Sequence, residues 1–315
     1  MILICGIPTE PPAARAIQAA EELGIGHAVL DQRLHAATEL TLSADPRTGI
    51  AGRLRTPDAS LELAGLSGVY VRLMDERFLP DLKGLAADAP ERLRVRAFHD
   101  LLHGWLNIAP IRVASRPRAM LSNMSKTYQA NIIRRFGFDI PETLVTNDPA
   151  EVLAFVSRCE SEGDGVIYKS VSGTRSIVQT FGAEDRQRLA RIQWCPTQFQ
   201  RKVSGLDIRV HVVGQRTFAT RIKSAATDYR YAQRQAGSDA ELSVTQIPPH
   251  VSTACVELAT ALDLPFAGID LRRTPAGAHV CFEVNPCPAY SYYESRTGAP
   301  IARSLVSWLA GYAVG

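Results

Sequence analysis

Two carboxylates and an amide fall close together in FAGIDLRRTPAGAHVCFEVNPCPAYSYYE, residues 266–294: Asp270, Glu283 and Asn285. Their oxygens form a hard donor set, suited to Mg²⁺ rather than to zinc. The stretch reads as two strands joined at Thr274-Pro275-Ala276-Gly277, because apolar residues fill both sides and Pro/Gly interrupt the middle. Side chains alternate along a strand, so Cys281, Glu283 and Asn285 are expected on one face, with Phe282 and Val284 on the other. The same turn sets Asp270 opposite Cys281 and one diagonal step from Glu283. A carboxylate flanked by Phe282 and Val284 in a core strand is costly unless it is paired or holds a metal. A plain hairpin with an ordinary salt bridge is the alternative.

Cations suited to phosphate lie elsewhere in the chain. Lys169, in VIYKSV, shares a strand face with Ile167 and Val171, an odd place for an ammonium unless it meets an anion. The loop after it, Ser172-Gly173-Thr174-Arg175-Ser176, offers backbone N–H groups of the kind that cradle phosphates. No G-x-x-x-x-G-K-[ST] occurs, so this is not a P-loop. A lysine snorkelling from an edge strand is the plainer reading. Residues 206–224 form a second hairpin. A three-residue loop, Gly214-Gln215-Arg216, sets Arg209 directly across from Arg221. Like charges so placed destabilise a sheet, which points to an anion between them, phosphate by preference. Two arginines splayed to water, with Asp207 beside Lys223, would be the bland outcome. His211 lies on the same polar face.

The elements that must position these groups alternate between helix and strand. Residues 2–5, 13–23 and 27–30 read strand, helix, strand, behind a Pro11-Pro12 breaker. A polar hairpin over 38–64 follows, then a strand over 68–73 ending near Arg72, and a helix over about 88–108. Ser115-Arg116-Pro117 marks a boundary. Beyond it come a helix running to Gly137, a strand over 141–146, a helix begun at Asn147-Asp148-Pro149, and strands over 166–171 and 177–181. The last helix, over 301–312, could pack internally or at a homodimer interface.

At 315 residues, 46% hydrophobic and 21% charged, the chain can bury a large core divided among two or three units. A net charge of +3 with dispersed basic residues excludes a nucleic-acid partner from the expectation. Six cysteines without a C-x-x-C pair fit reduced thiols in a cytoplasmic protein, and no run approaches a membrane span.

In order, Lys126 in NMSKTYQ, Lys169 with its small-residue loop, FQRKVSGLDIRVHVVG, and GIDL followed by FEVNP resemble the ATP-grasp carboxylate ligases. The likeness is to the ribosomal-protein glutamate ligases and the graspetide (microviridin-type) ligases that cyclise ribosomally made peptides. It covers roughly residues 113–312. It implies an α/β plus α+β molecule: an N-terminal α/β pre-ATP-grasp domain over 1–112, a central subdomain over 113–197, and a C-terminal subdomain over 198–315. It further implies that Lys126 and Lys169, with Ser172, Gly173 and Thr174, hold ATP phosphates. Gln200, Arg201, Lys202 and Val203 would be the hinge whose backbone reads adenine, with Asp207 near the ribose. Asp270, Glu283 and Asn285 would ligate two Mg²⁺ ions, and Arg209 and Arg221 would steady the transferring phosphoryl group. Arg201 and Lys202 depart from the acidic and aromatic residues that many relatives carry at the hinge.

The implied activity joins a carboxylate to an amine or hydroxyl through an acyl phosphate, on a peptide substrate. A ligase for small amino acids or dipeptides, and a non-catalytic peptide-binding protein, are the alternatives. Arg72, Tyr229, Arg230, Tyr292 and Glu294 are the candidate substrate contacts.

Overall fold

The computed structural model describes residues 1–47, 49–171, 177–226, 229, 233, 235 and 237–312. The chain opens with strand β1 (Ile2–Gly6), helix α1 (Pro11–Glu22) and strand β2 (His27–Asp31). Pro11 and Pro12 lie inside the first turn of α1, where no N–H donor is needed, so they start the helix rather than precede it. A small sheet of β3 (Glu39–Asp45), β4 (Gly49–Arg55) and β5 (Ser60–Glu62) follows, then β6 (Gly68–Val71), helix α2 (Pro90–Ile108) and β7 (Arg112–Ala114). Strands β2-β1-β6-β7, in that order, form a parallel sheet. Because β1 is central, it is buried on both faces. Ile2 and Ile4 pack with α1 on one side, Leu3 and Cys5 with Leu102 and Leu106 of α2 on the other.

Next come helix α3 (Lys126–Arg134), β8 (Thr143–Thr146), helix α4 (Pro149–Ser161), β9 (Val166–Ser170), β10 (Gln179–Thr180) and β11 (Thr197–Arg201). The Ser125 and Asp148 side chains cap α3 and α4 by accepting backbone N–H groups. Strand β10 keeps only two residues of the run expected over 177–181. The sheet order is β10-β9-β11-β8, all antiparallel, with Val152, Phe155 and Val156 of α4 packed on it.

Strands β12 (Leu206–Val213), β13 (Arg216–Lys223) and β14 (Glu241–Val244), helix α5 (Pro249–Ala261), β15 (Phe266–Arg273) and β16 (His279–Asn285) complete a five-stranded sheet ordered β14-β13-β12-β15-β16. Two details overturn the registers expected from sequence. The β12–β13 loop holds two residues, since Val213 pairs with Arg216, and Gly214 takes the positive φ of 56° that such a turn requires. Arg209 therefore faces Thr220, while Arg221 faces Ile208 on the opposite side of the sheet. The second detail is a bulge at Phe282: Asp270 pairs with Glu283, but Leu271 pairs with Cys281. Cys281 and Val284 both enter the core, and Phe282 and Glu283 both border a cleft. Asp270 thus meets Glu283 directly rather than Cys281.

Helices α6 (Tyr290–Thr297) and α7 (Ile301–Ala310) return to the first sheet, where Ile301, Leu305 and Leu309 are buried with Ile2 and Ile4. Of the two placements left open for the last helix, packing is internal. Among the described residues, no helix is long and apolar enough to cross a membrane.

Candidate active site

A cleft of about 360 Å³ opens between the β8–β11 sheet and the β12–β16 sheet. Lys169 and Gln200 line one wall; Asp270, Arg272, Phe282 and Glu283 line the other. At its centre Glu283 Oε2 lies 3.0 Å from Lys126 Nζ and 3.3 Å from Lys169 Nζ. Lys126, the first residue of α3, also donates to Asn123 Oδ1 at 2.7 Å. Two lysines far apart in sequence therefore converge on one carboxylate.

Beside them, Arg209 Nη1 donates to Asp270 Oδ1 at 2.7 Å. Arg209 is 4% exposed, its guanidinium lies over the Tyr293 ring at 5.6 Å, and its buried Nε has no hydrogen-bond partner among the described residues. Burial opposes its charge, but the Asp270 carboxylate together with Tyr293 and Tyr229 more than offsets this, and its pKa lies above the ordinary arginine value. The guanidinium rests on Gly268, where a Cβ would stand 2.0 Å from Nη2. Beneath it, His211 has both ring nitrogens buried without a partner among the described residues, and burial with the nearby Arg209 holds its pKa well below the usual value. The ring packs edge-on to Tyr293 at 4.8 Å.

Two residues further along the same strands, Asp207 accepts from Arg272 Nε at 2.7 Å, and Arg272 Nη1 donates to the Val203 carbonyl at 2.6 Å. Arg272 thereby fixes the end of the hinge, and its guanidinium lies 5.2 Å from the Phe282 ring centroid. Lys202 N–H is bonded to Gly165 O at 2.8 Å. Arg201, expected at the hinge through its backbone, turns its side chain away from the cleft. Its side chain meets Glu142, Glu162 and Asp164 at 2.7, 2.5 and 2.9 Å, so it braces β11 against its surroundings instead of lining the cleft.

The remaining candidates divide. Arg221 is not brought to Arg209; it is exposed, and its Nε donates to Ser243 Oγ at 3.2 Å. Tyr229 lines the cleft, and its hydroxyl meets that of Tyr293 at 2.7 Å; burial pushes its pKa well above the ordinary value. Tyr292 is 39% exposed under Arg296. Arg72 and Glu294 are taken up by the framework. Arg72 bonds Glu10 and the Pro288 carbonyl. Glu294, 8% exposed, accepts from Arg15 Nε and from Ala302 N–H in the first turn of α7, both at 2.8 Å. Ser172, Gly173, Thr174 and Arg230 lie outside the described residues. Asn285 Oδ1 accepts Cys287 N–H at 2.9 Å, which leaves a second lone pair.

Gly268, Arg272 and Gln129 are the contributors that sequence reasoning missed. Gln129 bonds both backbone polar groups of Val284. Arg272 carried a usable signal, since a strand cation beside Asp270 needs a partner; the others carry theirs only through contacts.

A family model described as the RimK-like ATP-grasp domain matches residues 123–309, and the chain belongs to that family. The fold is the ATP-grasp fold. Ribosomal protein bS6--L-glutamate ligase of Shigella boydii serotype 18 (strain CDC 3083-94 / BS512) is 27% identical over 198 residues, 60% of this chain. The match spans 64% of that curated relative's length. Among solved structures, macrocyclase MdnC of Microcystis aeruginosa MRC, bound with precursor peptide MdnA, superposes with a TM-score of 0.81 at 22% identity, covering 99% of this chain and 100% of that one. The ATP-grasp ligase PsnB, complexed with minimal precursor, Mg and ADP, gives 0.77 at 26% identity, covering 98% and 96%.

Proposed function

We propose that the chain is an ATP-dependent ligase that activates a carboxylate as an acyl phosphate and joins it to an amine or hydroxyl of a peptide. The observation that carries this reading is the meeting of Lys126 and Lys169 on Glu283, next to the Asp270–Arg209 pair. Four charged groups from α3, β9, β12 and β15 then surround the carboxylate of β16, an arrangement with no use in a purely structural sheet edge. PsnB complexed with minimal precursor, Mg and ADP, and MdnC bound with its precursor peptide, support the same ligands here.

Asp270, Glu283 and Asn285 suit magnesium, being all oxygen donors on adjacent strands. Among the described residues no group of three His, Cys, Asp or Glu could hold a metal, and in this reading the Asn285 amide joins the two carboxylates. Bound magnesium ions, two in the reading we favour, would neutralise phosphate charge and draw electrons from the γ-phosphorus. The protein's own share is positioning. The ammonium groups of Lys126 and Lys169 carry the positive charge a triphosphate needs, and the cleft wall of Gln200, Lys202 and Val203 holds the base, with Asp207 near the ribose. Arg209, fixed by Asp270 and Gly268, faces the charge that develops when a substrate carboxylate oxygen attacks the γ-phosphorus and ADP departs. The acceptor amine or hydroxyl then attacks the acyl carbon, loses its proton, and phosphate leaves. Tyr229, whose burial pushes its pKa well above the ordinary value, keeps its proton at neutral pH and serves as a donor on the acceptor side.

The named glutamate ligase favours a second reading, addition of an amino acid to a protein substrate. Product mass separates the two, because cyclisation removes water while addition adds a residue. Phosphate release from ATP with candidate peptides tests both. Asp270→Asn and Glu283→Gln are each expected to lower turnover about 10²-fold or more; unchanged turnover in both contradicts the metal assignment.

A further inference from the structure

We propose that Gln129 is a positioning residue that sets the metal-binding strand against the helix bearing Lys126; this rests on reading Glu283 and Asn285 as magnesium ligands. Strand β16 is the edge of its sheet, so among the described residues no strand of that sheet lies along one side of its backbone. At Val284, between the two ligands, the Gln129 side chain replaces that strand. Its Nε2 donates to Val284 O at 2.7 Å, and its Oε1 accepts Val284 N–H at 2.9 Å. Gln129 is 1% exposed, so water cannot substitute for it. Three residues back on α3, Lys126 reaches Glu283 itself. That spacing puts both side chains on one side of the helix.

A second tie, Cys281 N–H to Asp139 O at 2.8 Å, holds the same edge beyond the bulge. With Ile133 of α3 in the core beside Cys281 and Val284, helix and strand form one body. Lys169, in contrast, reaches Glu283 from β9 in the other sheet. The amide thus fixes the aim of Glu283 and Asn285 relative to Lys126, a task for which only a side chain with one donor and one acceptor in fork geometry is suited. Its effect is specific to the metal and separate from base and ribose binding.

Calorimetric titration of ADP, in MgCl₂ and in EDTA, tests the proposal in wild type, Gln129→Met and Gln129→Glu, alongside melting curves. Gln129→Met keeps the volume and loses both bonds. Gln129→Glu keeps the acceptor for Val284 N–H and guards against a poorly folded first variant. The expected result is a loss of about tenfold or more in the magnesium-dependent gain in affinity, with affinity in EDTA changed less than about threefold. A folded variant that retains the full gain, or that loses affinity equally with and without magnesium, overturns the proposal. Glu283→Gln is the control for the underlying reading. If it retains the gain, the metal assignment fails; if it abolishes the gain while Gln129→Met retains it, only the role of Gln129 fails.

Discussion

Arg209 occupies a position that three neighbours define together: Asp270 neutralises it, Tyr293 supplies a ring face, and the missing side chain of Gly268 leaves room. Gly268→Ala would drive a methyl group into the guanidinium, breaking its alignment with Asp270. A displacement on the order of 1 Å at such a group costs about 10²-fold in rate, so kcat is expected to fall by that factor while the protein remains folded. Steady-state kinetics with a melting curve checks this. Arg221 makes the converse case. From sequence it was paired with Arg209, yet a loop one residue shorter sends it to the other face. Arg221→Ala is expected to leave turnover within about twofold of wild type, and Arg209→Ala to lower it about 10²-fold or more. Parity along β12 and β13 was legible in the residue pattern; register depended on the loop, where Gly214-Gln215 and Gly214-Gln215-Arg216 are equally good turns on paper.

At the scale of elements, the strands and helices that carry the site followed from periodicity and punctuation, including the β15–β16 hairpin and its turn. The bulge did not. Nothing in HVCFEVN distinguishes a regular strand from one that turns Phe282 and Glu283 to the same cleft, because the choice is made by Cys281 and Val284 both finding room in the core. Glu294 was likewise visible as a charge near the metal strand, but its work is to join α6 to α7 and to Arg15 of α1. Glu294→Ala leaves the buried Ala302 N–H without its acceptor and the half-buried Arg15 with Glu22 as its remaining partner, and a loss of about 2 kcal/mol in unfolding free energy is expected. Denaturant melts measure it, and turnover per folded molecule at low temperature should stay near wild type. A stable variant with lost activity would restore Glu294 to the substrate side.

For the whole molecule, buried histidines make stability depend on pH. The folded state holds His211 neutral, and burial lowers His99 and His103 in the same direction from the ordinary 6.5. Below pH 6.5 the unfolded chain takes up protons that the folded chain refuses, so stability falls as pH drops from there. Above it these groups contribute no slope. His211→Phe, similar in shape against Tyr293, should reduce the acid-side slope by about 1.4 kcal/mol per pH unit between roughly pH 6.5 and 5; urea melts across that range would show it, and an unchanged slope would mean that His211 titrates normally. The meeting of two sheets at one cleft was legible only through resemblance, since Lys126, Lys169, Arg209 and Glu283 are brought together by contacts over more than a hundred and fifty residues.

A crystal structure with ADP and magnesium tests the central claim most directly. The account predicts a metal about 2.0–2.1 Å from oxygens of Asp270 and Glu283, with Lys126 and Lys169 drawn from Glu283 to the phosphate groups. Nucleotide bound away from these residues, or a metal that leaves both carboxylates on their present cations, would contradict it.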